Sequence, residues 1–179
     1  MRIENKKILE GIFYDALKDL GITGAVYSFT YERIGGRFKS IENSCEVSGT
    51  TIYVNEDWAE YCVVEYKYDL SFIMAHEARH VYQQNEVMMY RNNGTYCEGV
   101  NRIELWAQEF QHYIRNIGPQ TFEAHSKQDV EIDANAYAAL FCMLRGEGQP
   151  RFASCVDKEC TERFIELAER KGLTVDTRD

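Results

Sequence analysis

The sequence predicts an α+β fold in which an N-terminal helix and a small three-stranded antiparallel sheet precede a mostly helical half. Two observations predict it: aromatic and β-branched residues concentrate between residues 24 and 58, and apolar residues recur at helical spacing on both sides of that region. A chain of 179 residues can bury a core as one domain, and with two prolines and no repeats it offers no obvious linker. We therefore expect a single domain over residues 1–179.

The first half begins with a predicted helix over about residues 4 to 20, followed by Gly21 as a stop signal. Its apolar face comprises Ile8, Leu9, Ile12, Phe13, Ala16, Leu17 and Leu20. Three strand-like stretches follow, at 24–34, 37–47 and 50–58, and the pairs Gly35-Gly36 and Ser48-Gly49 separate them as turns. This order predicts an antiparallel meander.

The second half contains four predicted helices, at about 69–84, 100–116, 126–144 and 157–171. Asp69 is a favourable residue for the start of the first, and Gly118-Pro119 is expected to end the second. The spacing Ser126-x-x-Asp129 predicts a capping box at the start of the third.

Charge and cysteine content narrow the class of protein. The formal net charge is −9, and no cluster of Lys or Arg interrupts the acidic background, so we expect no nucleic-acid partner and no membrane partner. The first twenty residues are charged throughout and no apolar run reaches membrane-spanning length. Six cysteines without a C-x-x-C pair are typical of free thiols in a reducing compartment. These features predict a cytoplasmic protein.

One stretch carries recognisable chemistry: FIMAHEARHVYQ, residues 72–83. On a helix, His76 and His80 lie one turn apart on one face and can bind one metal ion, while Glu77 is rotated about 100° and can act on a water beside it. Two alternatives to a metal site are a chance match to the motif and a solvent-exposed helix face that carries His and Glu for solubility. The apolar residues before His76 favour a buried pair of histidines, which needs a partner such as zinc.

A catalytic zinc ion needs a third protein ligand. The best candidate is Glu131, in the predicted helix that contains EIDANAYA, residues 131–138, where small alanines permit a close approach to the first motif. Asp133 is the alternative ligand, and both acids could simply favour the start of the helix electrostatically. Asn135, one turn after Glu131, could hold a ligand by a hydrogen bond.

The two motifs HEARH, residues 76–80, and EIDANAYA together resemble the gluzincin metallopeptidases, most closely the ImmA/IrrE-type family. The similarity covers about residues 50 to 145 and includes TTIYVNEDW, residues 50–58. It implies a zincin-like fold, one zinc ion bound by His76, His80 and Glu131, and Glu77 as the general base. It also implies that the substrate is a protein or peptide, such as a regulatory protein.

The leading hypothesis is therefore a zinc-dependent metallopeptidase that hydrolyses peptide bonds. The alternative is a latent or catalytically weak zincin-fold module that acts by interaction, with the segment after about residue 147 covering the site. TTIYV is expected to be the edge strand beside the metal helix, where an extended peptide could add as a further strand. No residue is singled out by spacing to stabilise the transition state, and five remain open: Tyr82, His112, His125, Tyr137 and Arg79.

Overall fold

The computed structural model describes residues 1–174; the last five residues of the predicted domain lie outside the described part. The described chain is α+β, with seven helices and a three-stranded mixed sheet. In chain order the elements are α1 Ile3–Asp19, β1 Ser28–Glu32, β2 Cys45–Ser48, β3 Thr51–Asn55, α2 Glu56–Glu65, α3 Lys67–Arg91, α4 Val100–Gln111, α5 Pro119–Ser126, α6 Asp129–Leu144 and α7 Asp157–Arg170. The prediction of a helix, a small sheet and a helical half is confirmed at this level.

The predicted antiparallel meander is wrong in its topology. The strand order is β1-β3-β2: β3 pairs in parallel with β1 and antiparallel with β2. Residues 33–44 do not form a tight hairpin, because the Asn55 side chain donates hydrogen bonds to Ser40 O and Asn43 O and holds this connection as a loop. The predicted edge strand TTIYV is therefore the central strand, and β2 is the edge strand.

Several helix boundaries also differ from the prediction. Helix α2 begins at Glu56, inside the stretch 50–58 that the sequence predicts as a strand, because Asn55 Oδ1 accepts from Asp57 N and Trp58 N and starts the helix there. The metal-motif helix continues to Arg91, well beyond residue 84. The helix predicted to run to residue 116 ends at Gln111, so the predicted stop at Gly118-Pro119 is wrong, and these two residues begin α5 instead.

The start of α6 is stabilised from another helix rather than by the predicted capping box. Ser126 donates its hydroxyl proton to Phe122 O, within α5. The Glu109 carboxylate of α4 accepts the backbone N–H groups of Asp129 and Val130 at 2.9 Å each. A cap supplied from twenty residues away leaves no local spacing pattern in the sequence.

Helix α3 lies at the centre of the fold, where it packs against α1, α4 and α6. Ala75 and Ala78 on α3 and Ala134 and Ala138 on α6 have no exposed surface, so the two backbones approach closely. This contact places the first motif opposite the second. Within residues 1–174, no helix combines the length and the apolar character that crossing a membrane requires.

Candidate metal centre

Three of the predicted site residues meet where α3 packs on α6. His76 Nε2 and His80 Nε2 lie 3.0 Å apart, and each lies 3.3 Å from a different carboxylate oxygen of Glu131. One ligand atom from each residue falls within 4.8 Å of the others. Two imidazoles and one carboxylate are the donor set of an open zinc site, in which three protein ligands leave further positions free.

Hydrogen bonds on the far side of each ring fix which nitrogen faces the centre. His80 Nδ1 lies 2.8 Å from Gln83 Oε1, and Gln83 Nε2 donates to Val130 O and Asp133 Oδ2. The Gln83 amide cannot flip without losing both of these bonds, so its oxygen accepts from Nδ1–H of His80. The Asn135 side-chain oxygen engages His76 Nδ1 at 3.0 Å in the same way.

Because an amide oxygen lies at Nδ1 of each ring, the two Nε2 atoms face each other and the Glu131 carboxylate. Burial lowers the pKa of His80, but the nearby Glu131 carboxylate outweighs this effect and raises that pKa to about 9. Burial alone would raise the pKa of Glu131, yet His80 and His76 hold it well below its usual range. Three electron-pair donors converging on one buried point fit a bound cation.

Glu77 lies beside the centre without belonging to it. Its side chain is 8% exposed, and burial raises the pKa of its carboxyl, although His76 and His80 act in the opposite direction. A carboxylate with a raised pKa accepts a proton more readily near neutral pH.

Burial, together with the Glu77 charge, also raises the pKa of the nearby Cys45 thiol well above its ordinary value, so this thiol stays neutral.

The centre opens into a cleft of about 890 Å³. Helix α3 runs along it from Phe72 to Gln84, a length of roughly 18 Å at 1.5 Å per residue. Strand β2 lines one side, and residues from the segments 113–117 and 151–156 line others. An extended chain of about five residues spans such a length.

The edge strand β2 presents free backbone groups beside this cleft. Asn55 N–H donates to Ser44 O, and hydrogen-bonded pairs alternate along an antiparallel ladder. The N–H and C=O groups of Cys45 and Val47 therefore point away from β3. No further strand pairs with β2 within residues 1–174.

Two other side chains reach Glu131. The Tyr113 hydroxyl donates to Glu131 Oε1 at 2.5 Å, and His125 Nε2 lies 3.4 Å from Oε2. The His125 ring is oriented by a bond of 2.9 Å from Nδ1 to Ile114 O. His125 was one of the five residues left open by the sequence, whereas Tyr113 was missed because its segment was read as the end of a helix.

The other four candidates for stabilising the transition state lie away from Glu131. Tyr137 donates to Ala16 O and to Asp19, and His112 is exposed outside the cleft. Arg79 and Tyr82 belong to a buried cluster on the other side of α3, where the guanidinium lies 4.2 Å from the Tyr82 ring centroid. Of the five, only His125 reaches the metal centre.

Asp133, the alternative third ligand, is part of that buried cluster. Its carboxylate accepts from Arg79 Nε at 2.8 Å and from Arg163 Nε at 2.7 Å. Glu98 completes the cluster by pairing with both arginines. Asp133 thus faces away from the histidines, and Glu131 is the acid that stands in the ligand position.

The chain matches no protein-family model, no curated protein and no solved structure in the comparisons with known proteins. The assignment of this centre therefore depends on its own geometry and chemistry.

Proposed function

We propose that this protein is a zinc-dependent metallopeptidase, with one zinc ion held by His76, His80 and Glu131. The observation that carries the proposal is the approach of the two Nε2 atoms to 3.0 Å while both Nδ1 atoms are engaged by amide oxygens. Two ring nitrogens that converge beside a carboxylate attract positive charge, which a metal ion supplies when it is bound and a proton on His80 supplies when it is not. Imidazole nitrogens and a carboxylate oxygen are ligands that zinc favours.

Bound zinc would supply a Lewis acid that polarises the scissile carbonyl and makes a water molecule more acidic. Glu77 then acts as the general base: it takes a proton from the attacking water and passes it to the leaving amine nitrogen. Its buried position and raised pKa support this role. Asn135 and Gln83 keep the histidine rings in the orientation that binding requires.

The free edge of β2 supports a peptide as the substrate. Backbone groups of Cys45 and Val47 would pair with an extended chain and carry its scissile bond along the cleft above α3. Tyr113 and His125 both lie beside Glu131, where they can donate hydrogen bonds to the negative charge that develops on the carbonyl oxygen.

The resemblance of HEARH and EIDANAYA to ImmA/IrrE-type gluzincins supports the same proposal. By that resemblance the fold is zincin-like and the substrate is a regulatory protein. The six cysteines are free, which suits the reducing cytoplasm in which we propose that the protein works.

The alternative, a latent module without turnover, would need a cleft that stays closed. One ion pair, Arg115 Nη2 to Glu46 Oε1 at 3.4 Å, joins two walls of the cleft. Because the Arg115 side chain is 69% exposed, this pair stabilises a closed cleft by well under about 1 kcal/mol. It therefore gives little support to a latent protein, and we favour the enzyme.

The test compares wild-type protein with Glu77→Gln, a change that keeps the shape of the side chain and removes its basicity. Both proteins should contain zinc, and only the wild type should cleave a denatured protein such as casein. Zinc-loaded wild type that cleaves no unfolded protein would contradict peptidase activity. Equal cleavage by Glu77→Gln would contradict the role of Glu77.

A further inference from the structure

Four cationic side chains line the cleft, although the protein as a whole is acidic. Arg37 and Lys39 come from the loop before β2, Arg115 from the segment between α4 and α5, and Arg151 from the segment after α6. Outside the metal centre and Glu77, the acids that line the cleft are Glu42 and Glu46. The chain has 20 basic and 29 acidic side chains in total, whereas the cleft walls away from the metal centre and Glu77 carry four cations and two acids.

In the part of the chain that the structure describes, two of the four cations have carboxylate partners and two do not. Arg37 pairs with Glu46 at 3.0 Å and with Glu32 at 4.0 Å. Arg115 pairs with Glu46 at 3.4 Å. Lys39 donates to a backbone carbonyl, Gly36 O, at 2.8 Å. Within residues 1–174, neither Lys39 nor Arg151 has a carboxylate oxygen within 4.0 Å. Their charges are therefore available to a ligand.

The rest of the lining suits a polypeptide. Between the cations lie aromatic side chains that can hold apolar residues, namely Phe72, Phe110, Phe122 and Phe152. The free edge of β2 offers backbone N–H and C=O groups, which a peptide can pair with and a nucleic acid cannot match. A local positive field within a negative molecule also concentrates acidic ligands at this cleft.

We propose that the cleft selects extended peptide segments that carry acidic side chains next to apolar ones. This inference rests on the proposed peptidase function for its biological use, but binding alone can test it. Lys39 and Arg151 are the residues that determine the preference, because they are exposed, have no carboxylate partner among the described residues and come from two different segments of the chain.

The experiment measures binding to zinc-loaded Glu77→Gln protein, which should hold a peptide without cutting it. Three fluorescent ten-residue peptides share the same apolar residues and differ at their other positions, which are acidic, amide or basic. We expect the acidic peptide to bind about tenfold more tightly than the amide peptide, and the basic peptide to bind most weakly. Adding Lys39→Glu and Arg151→Glu should remove the preference.

The matched control is Lys7→Glu with Lys18→Glu, which reverses two exposed charges on α1 outside the cleft and so changes the net charge by the same amount. The control should keep the acidic preference. Equal affinities for the three peptides, a preference that survives the double reversal, or its loss in the control would overturn the proposal. Displacement by a single-stranded oligonucleotide at lower concentration than by unlabelled acidic peptide would overturn it as well. Selective binding by a protein that cleaves nothing would contradict the peptidase and leave acidic recognition intact.

Discussion

Glu131 and Asp133 lie two residues apart on α6 and serve opposite faces of the helix. The Glu131 oxygens lie 3.3 Å from the Nε2 atoms of His76 and His80, whereas Asp133 accepts hydrogen bonds from Arg79. Two residues on an α-helix differ by about 200° in direction. One turn of α6 therefore holds the candidate metal centre on one side and a buried ion-pair cluster on the other, and Gln83 contacts both.

The substitution Asp133→Asn should destabilise the fold strongly. Asp133 is 1% exposed, and its removal leaves the buried charges of Arg79 and Arg163 with Glu98 as their main partner. Breaking a buried charge pair by removing one partner costs about 3–5 kcal/mol. Urea unfolding measures the change. The control Glu162→Gln, an acid exposed by 66%, should change the free energy of unfolding by less than about 0.5 kcal/mol. A similar small effect of Asp133→Asn would contradict this account of the cluster.

The same cluster should make stability depend on acidic pH. Burial would raise the pKa of Glu98, but Arg163 and Arg79 hold it below the ordinary value of 4.5. A lowered pKa means that the folded state favours the charged carboxylate, so this stabilisation is complete above pH 4.5 and is lost as the pH falls through the folded-state pKa. Unfolding free energies measured between pH 7 and pH 3 should fall less steeply for Glu98→Gln than for the wild type. Parallel curves would show that Glu98 contributes nothing to the dependence.

Asn135→Ala should weaken zinc binding without unfolding the protein. The Asn135 oxygen holds Nδ1 of His76, and loss of a partner that orients a ligand typically costs 10- to 100-fold in metal affinity. Competition with a chelator measures the affinity, and thermal unfolding checks the fold. Asn135→Asp, which keeps an acceptor at this position, should retain most of the affinity. An unchanged zinc affinity in Asn135→Ala would show that Asn135 does not orient His76 for zinc binding.

Tyr113→Phe should separate catalysis from metal binding. The hydroxyl donates to Glu131, and burial with the Glu131 charge raises its pKa, so it remains a neutral donor across the working pH range. Loss of one donor beside the reacting carbonyl lowers kcat by about 100- to 1000-fold. The zinc content should stay at the wild-type level. Full activity in this variant would mean that Tyr113 only packs against Glu131.

The sequence was informative where the deciding contacts are local. His76, Glu77 and His80 are related by the geometry of a single helix, so their spacing alone predicts how they share a face. The small residues Ala134 and Ala138 also predicted that α6 would approach α3 closely. These features identify the two helices that carry the candidate metal centre.

The sequence was uninformative where the deciding contacts come from distant segments. The choice between Glu131 and Asp133 depends on Arg163, thirty residues further along the chain. Tyr113 reaches Glu131 because the chain leaves its helix at residue 112, and no local pattern marks that position. The parallel pairing of β1 with β3 likewise depends on a loop held by Asn55.

The central claim is that His76, His80 and Glu131 bind one zinc ion, and zinc stoichiometry after equilibrium dialysis tests it most directly. Wild type, Glu77→Gln and the control His112→Ala should each retain about one zinc per chain, since three protein ligands hold one ion. His76→Ala and Glu131→Gln should retain little or none while remaining folded by circular dichroism. Wild-type protein without zinc, or full zinc content in folded Glu131→Gln, would contradict the account.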